Sequence, residues 1–239
     1  MRRTAKAWLV GAVVAVLPAL AHAHVGIVSG PSYLNATQEV TFGVGHGCVG
    51  FDTYRVHVEI PAGVSSIRPL TSGFGKTSLE KDAAGNITAV IWQKADADLL
   101  PADTEYYKLT VRLRVAMPAQ AFDTVYFPVH QTCRAPDGNT FVTHWVAKPG
   151  DPPLADGGEG EPAAELLVLP ARVPGWNKFV IPRALTAAEI AAFFKDAAIV
   201  WRGTAAFSSN QLTADLIKTT AGVTVLESLQ SNDEIWVKY

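Results

Sequence analysis

The chain has 239 residues, of which 49% are hydrophobic and 18% are charged, and its formal net charge is −2. This length and composition suffice to bury a core without metal ions, as one large domain or two modest ones. The sequence contains no basic patch, which argues against nucleic acid as a partner, and its one long apolar stretch lies near the start.

The first 23 residues predict a secretory signal peptide. Residues 1–6 carry three basic side chains, residues 7–20 are apolar, and residues 21–23 are Ala-His-Ala, a small-x-small cleavage site. The apolar run is short for a membrane span. Cleavage after residue 23 leaves 17 basic and 22 acidic residues, a formal charge of −5. We therefore expect a bacterial protein that is exported to the periplasm or secreted.

Cleavage at this position makes His24 the first residue of the mature protein. Its free α-amine and its Nδ1 can then close a chelate ring on one metal ion. Neutral nitrogen ligands of this kind suit copper. The alternative is that His24 only marks where the signal ends.

The chain contains two cysteines, Cys48 and Cys133. In an oxidising compartment the expected state of such a pair is a disulfide. The alternative is a thiolate metal site, but no further cysteine supports it.

Residues 24–147 are predicted to form short strands separated by turns. In residues 107–115, for example, apolar and polar side chains alternate, as in a strand with one buried face. No helical period competes in this region, so we predict an antiparallel β-sandwich. The predicted strands are 40–44, 54–60, 87–92, 107–115, 125–129 (interrupted by Pro128) and 141–146.

The remainder of the chain has a different character. Residues 148–162 are rich in Pro, Gly, Asp and Glu, which predicts a linker or a long loop. Residues 163–239 predict a small α+β domain, so the fold class is mainly β with a second, mixed domain. Thr186 and Glu189 have the spacing of a capping box. The predicted helices are 187–196 and 212–218, and the predicted strands are 166–169, 179–181, 199–201, 223–226 and 234–237.

Several motifs between residues 24 and 146 occur in a characteristic order. They are His24 at the predicted mature start, His-Gly-Cys at 46–48, Leu-Pro-Ala-Asp at 100–103, Tyr-Phe-Pro at 126–128 before Cys133, and Trp145 after a glycine turn. This order resembles the YcnI-like family of exported proteins, which occur beside copper-handling genes. The resemblance implies an immunoglobulin-like β-sandwich with an exposed copper site at one end. It also implies a mono-histidine brace, in which the N-terminal amine and imidazole bind Cu(II), a strand carboxylate assists and a tryptophan packs beside the metal.

On this resemblance, His24 corresponds to the brace and Trp145 to the tryptophan, although Trp145 also suits a sandwich core. The family's glutamate position holds Lys108, whose positive charge repels Cu(II). Glu105 lies three residues earlier, so a regular strand directs it to the opposite face, and only a bulge or a different register brings it to the metal. Water, Glu59 or a second histidine are the other candidates for the third ligand.

The other histidines have structural interpretations. His57 falls on the polar face of its predicted strand, and His130 is expected to be structural. His144 precedes Trp145, so the two side chains point to opposite faces of a strand. His46 lies in the glycine-rich loop at 46–48 and is the reserve metal ligand.

The C-terminal unit contains three tryptophans, Trp176, Trp201 and Trp236. Its opening Gly-Trp-Asn and closing Trp-Val-Lys are faintly similar to small extracellular modules that have no single activity. We expect the three tryptophans to pack a small core. The alternative is a face on which sugar rings stack.

Three classes of function are compatible with these features. We predict an exported, non-enzymatic copper chaperone or buffer that exchanges Cu(II) with copper-trafficking proteins of the cell envelope. One alternative is a cell-envelope binding protein whose C-terminal unit binds a glycan or a partner. The other is a copper monooxygenase, but its brace needs a second histidine that no spacing indicates. Hydrolase motifs such as Gly-x-Ser-x-Gly are absent from the sequence.

Overall fold

The computed structural model describes residues 24–152 and 160–239. The predicted signal peptide and most of the central part of the predicted linker lie outside these residues. Among the described residues, no helix has the length and apolar character needed to cross a membrane.

The first part of the chain is built from strands and one short 3-10 turn, Asp96–Asp98. Its strands are β1 Gly26–Ile27, β2 Ser32–Tyr33, β3 Thr37–Val44, β4 Thr53–Glu59, β5 Val64–Pro69, β6 Lys76–Lys81, β7 Ile87–Gln93, β8 Tyr107–Val115, β9 Thr124–Phe127, β10 Val129–Arg134, β11 Thr140–Ala147, β12 Glu161–Pro162 and β13 Ala164–Leu169.

These strands form two main sheets that face each other. One sheet has the order β1-β3-β8-β5 and the other the order β12-β11-β10-β4-β7-β6. The pairing of β3 with β8, and of β10 with both β4 and β11, follows the neighbour pattern of immunoglobulin sandwiches. The prediction of a mainly β fold with an antiparallel sandwich is confirmed.

Alternation of apolar residues places the core between the sheets. In β8 the odd-numbered residues 107–115 are buried, whereas Lys108, Arg112 and Arg114 face outward. Trp92 and Phe127 are fully buried in the same core. Pro128 separates β9 from β10, because proline has no N–H to donate to a sheet.

The sandwich extends beyond the predicted domain end at residue 147. Strand β13, which the sequence assigned to the C-terminal unit, pairs antiparallel with β9 and parallel with β2. Its residues Ala164, Leu166 and Val168 are buried in the sandwich core. Strand β12 falls inside the predicted linker and pairs with β11.

The rest of the chain forms a five-stranded sheet, a two-stranded sheet and two helices. Helix α1 begins with the predicted capping box between Thr186 and Glu189, and it ends at Phe193 because Phe194 leaves the helical backbone conformation. The elements are β14 Trp176–Val180, β15 Leu185–Thr186, α1 Ala187–Phe193, β16 Ile199–Arg202, β17 Ala205–Phe207, α2 Gln211–Thr219, β18 Thr224–Val225, β19 Ser228–Leu229 and β20 Glu234–Lys238.

Phe122 joins the two parts of the molecule. It precedes β9 in the chain but belongs to the C-terminal core, where its ring lies 5.5–6.0 Å from the rings of Phe179, Phe193 and Phe194. Its carbonyl oxygen accepts a hydrogen bond from Arg183 Nη2 at 2.8 Å. The C-terminal unit therefore packs directly against the sandwich.

Candidate metal centre

His24 lies two residues before the edge strand β1. Gly26 of this strand pairs with Gly43 of β3, and the His24 imidazole folds back over Gly26. A Cβ at position 26 would lie 3.2 Å from Cδ2 of the imidazole, so any side chain there would press on the ring. Glycine at position 26 therefore gives the imidazole its room.

The rings of His24 and Trp145 pack in a T-shaped arrangement, at a centroid distance of 5.4 Å and an interplanar angle of 85°. Trp145 is buried, and its indole Nε1 donates a hydrogen bond to Oε1 of Gln131 at 3.0 Å. Nε2 of Gln131 donates in turn to the carbonyl oxygen of His46 at 2.6 Å and to Oγ1 of Thr53 at 2.9 Å. The indole is thus held in one orientation, and the structure brings together the two residues that the family resemblance links.

Two acidic residues lie near His24 that the sequence interpretation missed. Burial lowers the pKa of His24 below its ordinary value, while the negative charges of Glu165 and Glu161 act in the opposite direction. Glu161 lies directly beside Trp145 in the parallel pairing of β12 with β11. A lowered pKa keeps the imidazole in the neutral form that binds metals, and nearby carboxylates favour a cation.

Lys108 lies in the same cross-strand row as the two glycines. Gly26 is opposite Gly43, and Gly43 is opposite Lys108. Directly opposite residues point to the same face of a sheet. The position that the family fills with glutamate therefore faces the same side as Gly26, but in this chain it presents an ammonium group. The hydroxyl of Tyr106 occupies the space where a side chain at Gly43 would lie, so a phenol also reaches this face.

The weaker candidates of the sequence lie in other surroundings. Glu105 is exposed just before β8 and lines a cleft together with Lys94 and Lys108. The ring of His46 is exposed, and its Nδ1 contacts the carbonyl oxygen of Gly47. The backbone carbonyl of His46 accepts a hydrogen bond from Gln131, and Gln131 in turn holds the Trp145 indole that contacts His24.

No three His, Cys, Asp or Glu side chains converge on a common point within residues 24–152 and 160–239. A metal ion at His24 would therefore rely on the α-amine and imidazole of this one residue. Because the imidazole is kept neutral and has carboxylates nearby, these groups fit Cu(II).

The predicted disulfide between Cys48 and Cys133 is confirmed. It ties the loop after β3 to β10, with a Cα–Cα distance of 5.5 Å. This loop carries His46, whose carbonyl oxygen holds Gln131. The disulfide therefore supports the hydrogen bonds that orient Trp145.

The three C-terminal tryptophans are not in the core, contrary to our expectation. Trp176 and Trp236 are each 50% exposed, and Trp201 is half-buried. Trp201 is directly opposite Trp236 across β16 and β20, on the outer face of the five-stranded sheet. Alternate residues of these strands, such as Val200 and Val237, fill the core instead. Successive residues of a strand point to opposite faces of the sheet, so the tryptophans lie outside because their neighbours are buried.

Comparison with known proteins gives one match in sequence. The sequence model of a family described as "Domain of unknown function (DUF1775)" matches residues 24–169, which is more than half of the chain and includes β13. No curated protein matches the chain in a sequence search.

Comparison with solved structures gives several similar chains. An uncharacterized protein from Nocardia farcinica, described as having an immunoglobulin-like fold, shares 20% identity over 61% of this chain and 98% of its own, with a TM-score of 0.48. A variant of BcpA, the major pilin subunit of Bacillus cereus, shares 8% identity over 87% and 52% of the two chains, with a TM-score of 0.36. A C-terminal fragment of the major pilin GBS80 of Streptococcus agalactiae shares 11% identity over 89% and 77%, with a TM-score of 0.33.

Proposed function

Because this chain belongs to the DUF1775 family, which is the YcnI-like family, we propose that it is an exported protein that binds Cu(II) through its residue His24. The T-shaped contact of the His24 imidazole with the Trp145 indole is the observation that carries this proposal. The α-amine and Nδ1 of His24 form the chelate, and the indole shields one side of it from water.

The surroundings of His24 suit copper that is passed on rather than stored. Few protein groups would contact an ion at His24, and the negative charges of Glu161 and Glu165 favour a cation at this edge. Lys108 stands on the same face as Gly26 where the family places a carboxylate, so we propose that the site holds Cu(II) less tightly than one with a carboxylate there. We propose a chaperone or buffer without enzymatic activity that delivers Cu(II) to copper-trafficking proteins of the envelope.

Export is part of this proposal. Removal of residues 1–23 creates the α-amine on which the chelate depends, and the disulfide between Cys48 and Cys133 suits an oxidising compartment. We propose the periplasm or the extracellular medium as the location of the mature protein.

The test is a Cu(II) titration followed by EPR on protein whose first residue is verified as His24. We expect the first equivalent of Cu(II) to give a type-2 signal from His24, because the amine and the imidazole supply two nitrogen ligands in one chelate ring. The same protein with one extra residue before His24 should lose this first, tighter equivalent, since its amine is displaced from the imidazole.

The extended protein is the matched control, because the fold and every side chain are otherwise unchanged. A Lys108→Glu variant, which restores a carboxylate on the glycine row, should bind more tightly than the native protein. Equal Cu(II) binding with and without the extra residue would contradict the brace and point to internal histidines.

The exposed tryptophans favour a second function, the binding of a glycan by the C-terminal unit. Together Trp176, Trp201 and Trp236 line an almost wholly apolar surface on the outer face of one sheet. Aromatic faces with half their surface in water are suited to stacking against sugar rings. This function is compatible with copper binding at His24, because it uses the other end of the chain.

Retention of the full-length protein on insoluble cell-wall polysaccharide tests this second function. Trp236→Ala should abolish retention, because Trp236 is directly opposite Trp201 and links the platform together. The matched control is Val180→Ala, which removes another exposed apolar side chain of the same sheet. Equal retention of the native protein and Trp236→Ala would exclude the platform.

A further inference from the structure

Three histidines lie side by side on the outer face of the six-stranded sheet. His57 of β4 is opposite His130 of β10, and His130 is opposite His144 of β11. Their ring centroids are 5.4 Å and 5.0 Å apart, so the three imidazoles form one continuous histidine row. Trp145 follows His144 in β11 and points into the core. The histidine row is therefore on the opposite face of this sheet from the Trp145 indole that contacts His24.

The strongest contact within the histidine row is between His130 and His144. Their Nδ1 atoms are 2.7 Å apart, which requires a hydrogen atom shared between them. On its other side, His130 Nε2 is 2.9 Å from Oε1 of Glu59. An ionised carboxylate only accepts hydrogen bonds, so His130 donates its Nε2 hydrogen to Glu59. In the neutral form of His130, Nδ1 then carries a lone pair, and Nδ1 of His144 is the donor.

We propose that His130 and His144 bind Zn²⁺ through these two Nδ1 atoms, with the ion in place of the shared proton. Two nitrogens on a tetrahedral zinc ion lie about 3.3 Å apart, so a small rotation of the exposed His144 ring makes room for it. Glu59 then acts as the outer carboxylate that fixes the tautomer of a ligating histidine. Because no third His, Cys, Asp or Glu converges here in the described part of the chain, water completes the coordination.

The charges around the histidine row favour a cation. Glu59 contacts the middle histidine, His130, and Glu80 is 3.4 Å from Nε2 of His57 at one end of the row. The nearby Arg55 is occupied by Glu80, at 3.9 Å. The proposal is independent of copper at His24, since the two groups of residues share no side chain.

Zn²⁺ is the probe that tests this site. Copper binds most nitrogen sites more strongly than zinc does, so Cu(II) would report both sites at once. Zn²⁺ binding is measured by calorimetry on protein that carries one extra residue before His24, which removes the amine chelate. We expect one equivalent of Zn²⁺, bound more than about tenfold more weakly in His144→Ala and about 10–100-fold more weakly in Glu59→Gln.

Two controls separate metal binding from folding. His144 is exposed, so His144→Ala should retain the circular dichroism spectrum and melting temperature of the apo protein. His46→Ala removes an exposed histidine outside the histidine row and should bind Zn²⁺ as the parent does. Zn²⁺ should also raise the melting temperature of the parent but not that of His144→Ala. An unchanged Zn²⁺ affinity in His144→Ala, or the absence of Zn²⁺ binding by the parent, would overturn the proposal.

Discussion

Replacing both Cys48 and Cys133 by alanine is expected to lower the free energy of unfolding by about 4–5 kcal/mol. The two cysteines are 85 residues apart, so the disulfide closes a long loop. In the chain-entropy model, this closure removes many conformations from the unfolded chain, and the stabilisation grows with the logarithm of loop length. Urea unfolding followed by circular dichroism measures the loss, and the oxidised native protein is the reference.

The same double substitution should also alter the surroundings of Trp145. Without the disulfide, the loop at 46–48 is less firmly tied to β10, and the hydrogen bond from Gln131 to the His46 carbonyl loses its support. Reduction of the native protein should reproduce the loss of stability that the substitutions cause. A change of less than about 1 kcal/mol would show that residual structure already restricts this loop in the unfolded chain.

Asp52→Ala is expected to destabilise the protein by about 3–5 kcal/mol, because it leaves the Lys94 ammonium buried without a counter-charge. Asp52 is fully buried and Lys94 is 5% exposed. Nζ of Lys94 lies 2.6 Å from Oδ2 of Asp52, and the hydroxyl of Tyr107 donates to Oδ1 at 2.6 Å. The backbone N–H of Leu100 donates to Oδ2 at 2.9 Å. Asp52 therefore accepts hydrogen bonds from three groups, and its removal leaves Lys94 with the hydroxyl of Tyr107 as its acceptor, at 2.8 Å, and with no counter-charge.

A double-mutant cycle distinguishes the ion pair from general damage to the core. The double substitution of Asp52→Asn with Lys94→Met removes both charges and should cost much less than the sum of the two single changes. Tyr107→Phe keeps the pair and removes both hydrogen bonds of the hydroxyl, the one it donates to Asp52 and the one it accepts from Lys94, a loss of at least about 1.5–3 kcal/mol. Chemical denaturation at neutral pH measures each value. Additive losses in the double variant would show that the Asp52–Lys94 pair has no special role.

The sequence allowed local features to be predicted because they depend on neighbouring residues. The predicted strand at residues 107–115 has the same first and last residues as β8. The capping-box spacing of Thr186 and Glu189 marks the start of α1. Pro128 interrupts its strand for a local reason, the missing N–H. The disulfide followed from the count of two cysteines in a chain that is predicted to be exported.

The assignment of β13 failed for a different reason. Residues 166–169 were predicted as a strand, but an apolar strand contains no information about the sheet that it joins. The Pro- and Gly-rich stretch before them indicated a change of domain, yet the chain returns to pair with β9 and β2. For the same reason, Glu161 and Glu165 were not considered as neighbours of His24.

The sequence by itself determined which residues alternate, where α1 begins, which cysteines pair and which histidine follows the predicted signal. The tertiary structure alone decided the strand register, which aligns His57, His130 and His144 in one row and sets His24 against Trp145. It also decided that the outer face of the C-terminal sheet carries Trp201 and Trp236. The physical reason is the distance along the chain over which each interaction acts. Secondary-structure propensity and helix capping depend on residues a few positions apart. Strand register depends on the burial of whole strands that come from distant parts of the chain.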